Sequence, residues 1–139
     1  MFLVDSSGRS CILDWQALKQ AIPSASPLAG EAEAALGAYG KVSWIRSLVK
    51  DVFGVEEIPA TIVTDSRSLQ DAVNASTTMK DKRALVAVCA MRRMHEVENI
   101  SLQWCQGSIQ VADVMTKPSV NAGRLRSMLQ AGNLADLEY

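Results

Sequence analysis

Histidine and cysteine, two side chains that often carry metal or nucleophile chemistry, are scarce in this chain. There is one histidine, His95, and there are three cysteines, Cys11, Cys89 and Cys105, in 139 residues. The cysteines are odd in number, far apart and in no CxxC pair, which argues against a disulfide scaffold or a zinc site. A reducing, intracellular setting, cytoplasm or nucleus, is expected. An excess of one charge is also lacking: 14 basic residues face 15 acidic ones. No global positive field announces a nucleic-acid binder, so any such binding must come from a local patch. No apolar run approaches the roughly 20 residues of a membrane span, and the opening "MFLV" is cut off by Asp5 and Ser6, too short for a signal peptide. The sequence shows no repeat, low-complexity tract or linker. What is present is a 48% hydrophobic composition, enough for one domain with a real core.

Short strands alternate with longer helices. "MFLV" and "CILDW" flank the turn-forming "DSSGRS", which predicts a β-hairpin over residues 1–15. "QALKQAIPSASPLAG" follows as a looser segment, because Pro23 and Pro27 are excluded from helix interiors. From Glu31 to Phe53 the positions Ala35, Tyr39, Val42, Ile45, Val49 and Val52 recur at steps of three and four, predicting one inward helical face, with Gly54 closing the helix. "ATIVT" predicts a strand that runs into Asp65, and "SRSLQDAVN" a short helix. A second long helix is expected from Asp81 to Glu98, with Leu85, Val88, Cys89, Met91 and Met94 inward. "ISLQWC" reads as the last strand, "IQVADVMTK" as a short helix, and "AGRLRSMLQAG", after Pro118, as the final one. The order predicts an α/β layer with a mixed sheet.

Three carboxylates stand out by position: Glu31 at the first turn of the long helix, Asp65 at a strand end, and Asp113 at the start of a helix. Each has a structural explanation, since acids near helix N-termini are favoured by the macrodipole and Asp65, followed by Ser66, could serve as N-cap of the following helix. A bare carboxylate at a strand end still needs a cation, a hydrogen bond or water. His95 reads as a helix C-terminal residue. Trp15, Trp44, Trp104 and Cys89 read as core, and Cys105 ends a strand with no obvious base, which gives no support to a cysteine nucleophile.

"ILDWQALKQAIPSASPLAGEAEAALGAYGKVSWIRSLV" resembles the ribonuclease H domain at the end of copia-type retrotransposon polyproteins. Trp15, Lys19, Gln20, "SPLAGEAEA" and "WIRSLV" follow the family's order at similar spacing. "TIVTDSRSLQDAV" resembles its aspartate-ended strand, "MKDKRALVAVCAMRRMHE" its basic second helix, and "LQWCQGSIQVADVMTKPS" its closing motif. The resemblance implies a ribonuclease H-like α/β fold, a mixed sheet flanked by helices, over residues 1–118, followed by a helical tail over 119–139.

It also implies a site. Glu31, Asp65 and Asp113 match the family's catalytic, metal-binding acids, with Glu33 left as an ordinary helix acid. Two Mg²⁺ ions would activate water and stabilise the leaving oxygen as the RNA strand of an RNA/DNA hybrid is hydrolysed, and magnesium suits carboxylate oxygens. Arg67, Lys80, Lys82, Arg83, Arg92 and Arg93 are expected to meet phosphates, although a solvated helix face is an equal reading. Lys117, Arg124 and Arg126 are weaker candidates. The upstream reverse transcriptase segment of the same polyprotein is an implied partner, and a membrane is not. The family's fourth acid, in its first strand, has no match. Residues 1–15 align with the second and third strands, Asp5 is the nearest substitute, and Asp14 reads as an outward strand residue. The chain is therefore expected to be N-terminally truncated, with little nuclease activity alone. The alternative is an inactive retroelement remnant that binds nucleic acid or a protein partner through an exposed sheet edge.

Overall fold

The computed structural model describes residues 1–16, 24, 26–75, 79–115, 117 and 121–132. Lys19, Gln20, Pro23 and Pro118, and the side chain of Arg124, lie outside the described residues. The chain is α/β and divides into two compact units, one of residues 1–19 with 106–139 and one of residues 20–105.

In the first unit, β1 (Phe2–Val4) and β2 (Ser10–Ile12) form the expected antiparallel hairpin, with Leu3 opposite Cys11. Asp5 organises its turn. One carboxylate oxygen accepts from the Ser7 and Arg9 amides and the Ser7 hydroxyl, and the other meets the Arg9 guanidinium. The Ser7 hydroxyl contributes most to holding the Asp5 carboxyl down at about 2, and the Arg9 bonds add to it. Gly8, at φ 85°, supplies the left-handed step of this turn. The segment around Asp113 read as a short helix is instead a 3-10 turn, Val111–Met115, preceded by another at Gly107–Ile109. The last helix, here α4, spans Gly123–Ala131, and the carbonyl of Gly132 accepts from the Ser10 amide.

The second unit begins with α1 (Pro27–Phe53), which starts four residues before the predicted Glu31. Pro27 excludes a helix interior but not a helix start: it stands at the first helical position, where no amide partner is needed. Ser26 caps α1 by accepting from the Ala29 amide, and Gly54, at φ 65°, closes it. Then come β3 (Ala60–Thr64), α2 (Arg67–Asn74) and α3 (Lys82–Glu98), with Ser66 and Asp81 as N-caps, and finally β4 (Ile100–Trp104). The two helices carry the chain across, so β3 and β4 pair in parallel, Ile62 against Leu102 and Thr64 against Trp104. Among the described residues, pairing gives one antiparallel and one parallel two-stranded sheet rather than a single mixed sheet.

The core belongs to this second unit. Ala29, Ala32, Ala35 and Tyr39 of α1 meet Ala84, Ala87, Val88 and Met91 of α3, with Leu69 and Val73 of α2 and Ile100 and Leu102 of β4. Small residues on both facing helices let their backbones approach closely, which is why alanine supplies so much of a buried surface. Three expected core residues are instead at the surface: Trp15 is 69% and Trp44 65% exposed, and Cys89 is exposed. Trp15 lies beyond the end of β2 rather than within a strand. Cys89 stands one residue off the Ala84–Val88–Met91 face. Val52 also departs from its predicted face, at 65% exposure. Steps averaging less than 3.6 residues carry the apolar stripe around the helix, about 100° between Ala35 and Val52.

Candidate functional site

Asp65 directly follows β3, at the carboxyl end of the parallel pair, where open α/β sheets commonly receive ligands. The sequence forces it outward. Thr64 is buried as the last strand residue, and its hydroxyl oxygen accepts the Ser66 amide. Ser66 then turns its hydroxyl to the Leu69 amide as the N-cap of α2, so the capping role considered for Asp65 falls to its neighbour. The Asp65 side chain is exposed, and no described residue hydrogen-bonds or ion-pairs with its carboxylate.

The main chain of Asp65 is held by Trp104 at the end of β4, whose indole Nε1–H donates to the Asp65 carbonyl oxygen at 3.1 Å. The Arg67 guanidinium lies over the same ring, 5.1 Å from its centroid, and also meets Asp71 at 3.4 Å. Trp104 is thus half-buried and engaged at the strand ends, where the sequence suggested simple core packing. The signal that could have indicated this is its register: Trp104 is the strand partner of Thr64, the residue before the candidate aspartate.

Glu31 is exposed on α1 in the same unit as Asp65. Because α1 begins at Pro27, Glu31 lies beyond the first turn, which contains no acid, and the macrodipole explanation for it weakens. Asp113 belongs to the other unit. It lies within the second 3-10 turn, two residues after its start, and accepts from the Lys117 ammonium at 2.7 Å, its side chain 16% exposed. Lys117, a candidate phosphate contact, is thereby engaged with a candidate metal ligand. Carboxylates are the donor chemistry that magnesium takes, but among the described residues no three His, Cys, Asp or Glu side chains form a group able to hold a metal ion.

The basic residues divide by role. Arg92 is tied to the end of α2, donating to the carbonyls of Ala72 at 2.7 Å and Val73 at 3.2 Å. Lys80, Lys82, Arg83 and Arg93 are exposed. On α3, Lys82 and Arg93 share a side but stand about 16 Å apart along the axis, with Arg83 turned about 100° from Lys82. They form a sparse line rather than a compact patch. His95 shares a hydrogen bond with the Ile100 carbonyl at 3.0 Å in the last turn of α3, consistent with a helix-terminal role.

A cleft of about 260 Å³ lies elsewhere in the unit, lined by residues that include Arg46, Lys50, Glu57 and Glu98, and it does not include Glu31 or Asp65. Among the described residues no helix is long and apolar enough to cross a membrane. Comparison with protein-family models, with curated proteins and with solved structures finds no match for this chain.

Proposed function

We propose that this chain is a ribonuclease H-like portion of a copia-type retrotransposon polyprotein, engaging an RNA/DNA hybrid at the end of β3. The observation that carries the reading is the exposed carboxylate of Asp65 at the carboxyl edge of a parallel strand pair, within a segment, "TIVTDSRSLQDAV", that resembles the family's site. In its catalytic form the resemblance would assign Mg²⁺, which would supply neutralisation of charge and activation of water, to Glu31, Asp65 and Asp113, although these form no metal-holding group among the described residues. The chain's own contribution is to present Asp65 at a strand end braced by Trp104, with Arg67 beside it for a backbone phosphate.

The ion pair between Lys117 and Asp113 favours a second, noncatalytic form of the reading. An ammonium already on that carboxylate competes with a metal. The chain would then bind nucleic acid without hydrolysing it.

Titration of the purified chain with a labelled RNA/DNA hybrid and with duplex DNA of the same sequence, with and without Mg²⁺, tests both forms. Hybrid binding that weakens as salt rises is expected, with slow or no cleavage. Cleavage that disappears in Asp65→Asn would select the catalytic form. Absence of hybrid binding at low salt would overturn the reading altogether.

A further inference from the structure

The second half of α1 presents a stripe of large apolar side chains to solvent. Trp44 is 65%, Leu48 48% and Val52 65% exposed. At steps of four residues they stay within about 80° of arc, so they form one continuous ridge rather than scattered surface residues. A patch of this kind marks an interaction surface more often than an isolated exposed leucine does.

The charges around the ridge indicate what fits it. Lys41 stands one turn before Trp44, on the same side of the helix, whereas the other end carries acids: Asp51 beside Val52, then Glu56 and Glu57 just past the helix end. A second copy laid antiparallel, on a two-fold axis through Leu48, sets Trp44 against the partner's Val52 and Leu48 against the partner's Leu48. The same arrangement brings Lys41 to the partner's acidic end, twice by symmetry. A parallel alignment would instead place Lys41 on the partner's Lys41 and acids on acids. Self-complementarity in apolar content and in charge therefore coincides in one register.

We propose that this ridge is a homodimer interface, in which α1 pairs antiparallel with the α1 of a second copy about Leu48. The area is modest. A tryptophan buries about 150–250 Å², so the ridge falls short of the roughly 800 Å² per partner of a stable interface. The dimer is accordingly weak, with a dissociation constant in the micromolar range. It is independent of any nucleic-acid activity.

Sedimentation equilibrium of the full chain across the micromolar range tests the proposal. A monomer–dimer equilibrium is expected, weakened at least tenfold by Leu48→Glu, which sets like charges together on the axis. Lys41→Glu should weaken it severalfold, and adding Asp51→Lys to that variant should restore it. Register is read separately with Cys11 and Cys89 replaced by serine. Leu48→Cys should then form an intermolecular disulfide with itself, whereas Trp44→Cys should do so only when mixed with Val52→Cys. A chain that stays monomeric throughout this range, or a dimer indifferent to Leu48→Glu with circular dichroism unchanged, would overturn the proposal.

Discussion

The two halves of α1 have similar apolar content and opposite surroundings. Between Ala29 and Tyr39 the helix is tied into the core, with Ala29, Ala32, Ala35 and Tyr39 all buried against α3 and its neighbours. Between Trp44 and Phe53 the side chains of Trp44, Leu48, Val52 and Phe53 are exposed, Phe53 at 69%, while Ile45 and Val49 are half-buried. Three of the four buried residues of the first half are alanines, with Tyr39 the one large side chain among them, whereas the second half leaves Trp44, Leu48, Val52 and Phe53 exposed. Close approach of α1 to α3 selects alanine where the helices touch, whereas the drift of the apolar stripe turns the later residues off that contact. A helix can thus be amphipathic throughout and still serve two different surfaces.

The largest expected effect separates the two halves directly. Tyr39→Ala removes a fully buried ring and should destabilise the unit by about 3–5 kcal/mol, as large-to-small changes of aromatic core residues do. Trp44→Ala should cost less than about 0.5 kcal/mol in dilute solution, as surface substitutions usually do. Urea unfolding of both variants checks the contrast, and comparable losses would break it. Tyr39→Phe sharpens the same point. The Tyr39 hydroxyl is buried without a hydrogen-bond partner among the described residues, so removing it should stabilise by about 1 kcal/mol. Burial pushes the Tyr39 phenol up from 10.0 to about 12. As pH rises through that interval the unfolded chain loses its proton first, so stability should fall between those two values, and this fall should be missing in the phenylalanine variant.

The start of α1 provides a contrast of intermediate size, because it is fixed by polar bonds rather than by burial. The Ser26 hydroxyl oxygen accepts the Ala29 amide while its hydrogen is donated to Asp81, the residue that caps α3. One serine thereby joins the N-termini of the two helices that form most of the core. Ser26→Ala should destabilise by about 1 kcal/mol, the usual effect of losing an N-cap. The Ser26 bond is also the foremost cause holding the Asp81 carboxyl below its ordinary value of 3.8, with the Ala84 amide next. A lowered carboxyl contributes stability above its unfolded value and loses it as pH falls below. The alanine variant should therefore show a shallower loss of stability on acidification below 3.8, measurable by thermal melting across acidic buffers. An unchanged acid limb would remove Ser26 from that role.

These contrasts mark where the sequence was legible. Strand "ATIVT" and the two helices after it were readable because β-branched residues and a sustained apolar period agree there, although the cap of the first helix is Ser66 rather than Asp65. The start of α1 was missed because Pro27 carries two opposite meanings, breaker inside a helix and favoured first residue, and only its neighbours decide between them. Of the alanines in the α1–α3 contact Ala35 was on the expected inward face, but Ala29, Ala32, Ala84 and Ala87 were overlooked because hydrophobic periodicity weights large side chains, whereas close helix approach requires small ones. At the candidate site, the exposure of Asp65 follows from its position after a buried strand residue. Its Trp104 brace joins residues 39 positions apart, which no local pattern reports. The Lys117–Asp113 pair, by contrast, is an i, i+4 contact that the sequence spacing already permitted.

The smallest expected effect bears on the boundary between the two halves. Gly37 and Gly40 lie inside α1 on its exposed side, and a Cβ added to either meets nothing within 4 Å. Glycine in a helix interior is unfavourable by about 0.5–1 kcal/mol relative to alanine, so Gly37→Ala and Gly40→Ala should each stabilise the chain by about that amount in urea unfolding. A pairing axis at Leu48 leaves both positions at the margin of the contact, and the added methyls should leave the monomer–dimer equilibrium unchanged. If Gly40→Ala instead raises stability but weakens association, a partner backbone must approach the glycine closely. The axis would then lie nearer Trp44, and the partner's large side chains would rest on the small residues of the first half rather than on those of the second.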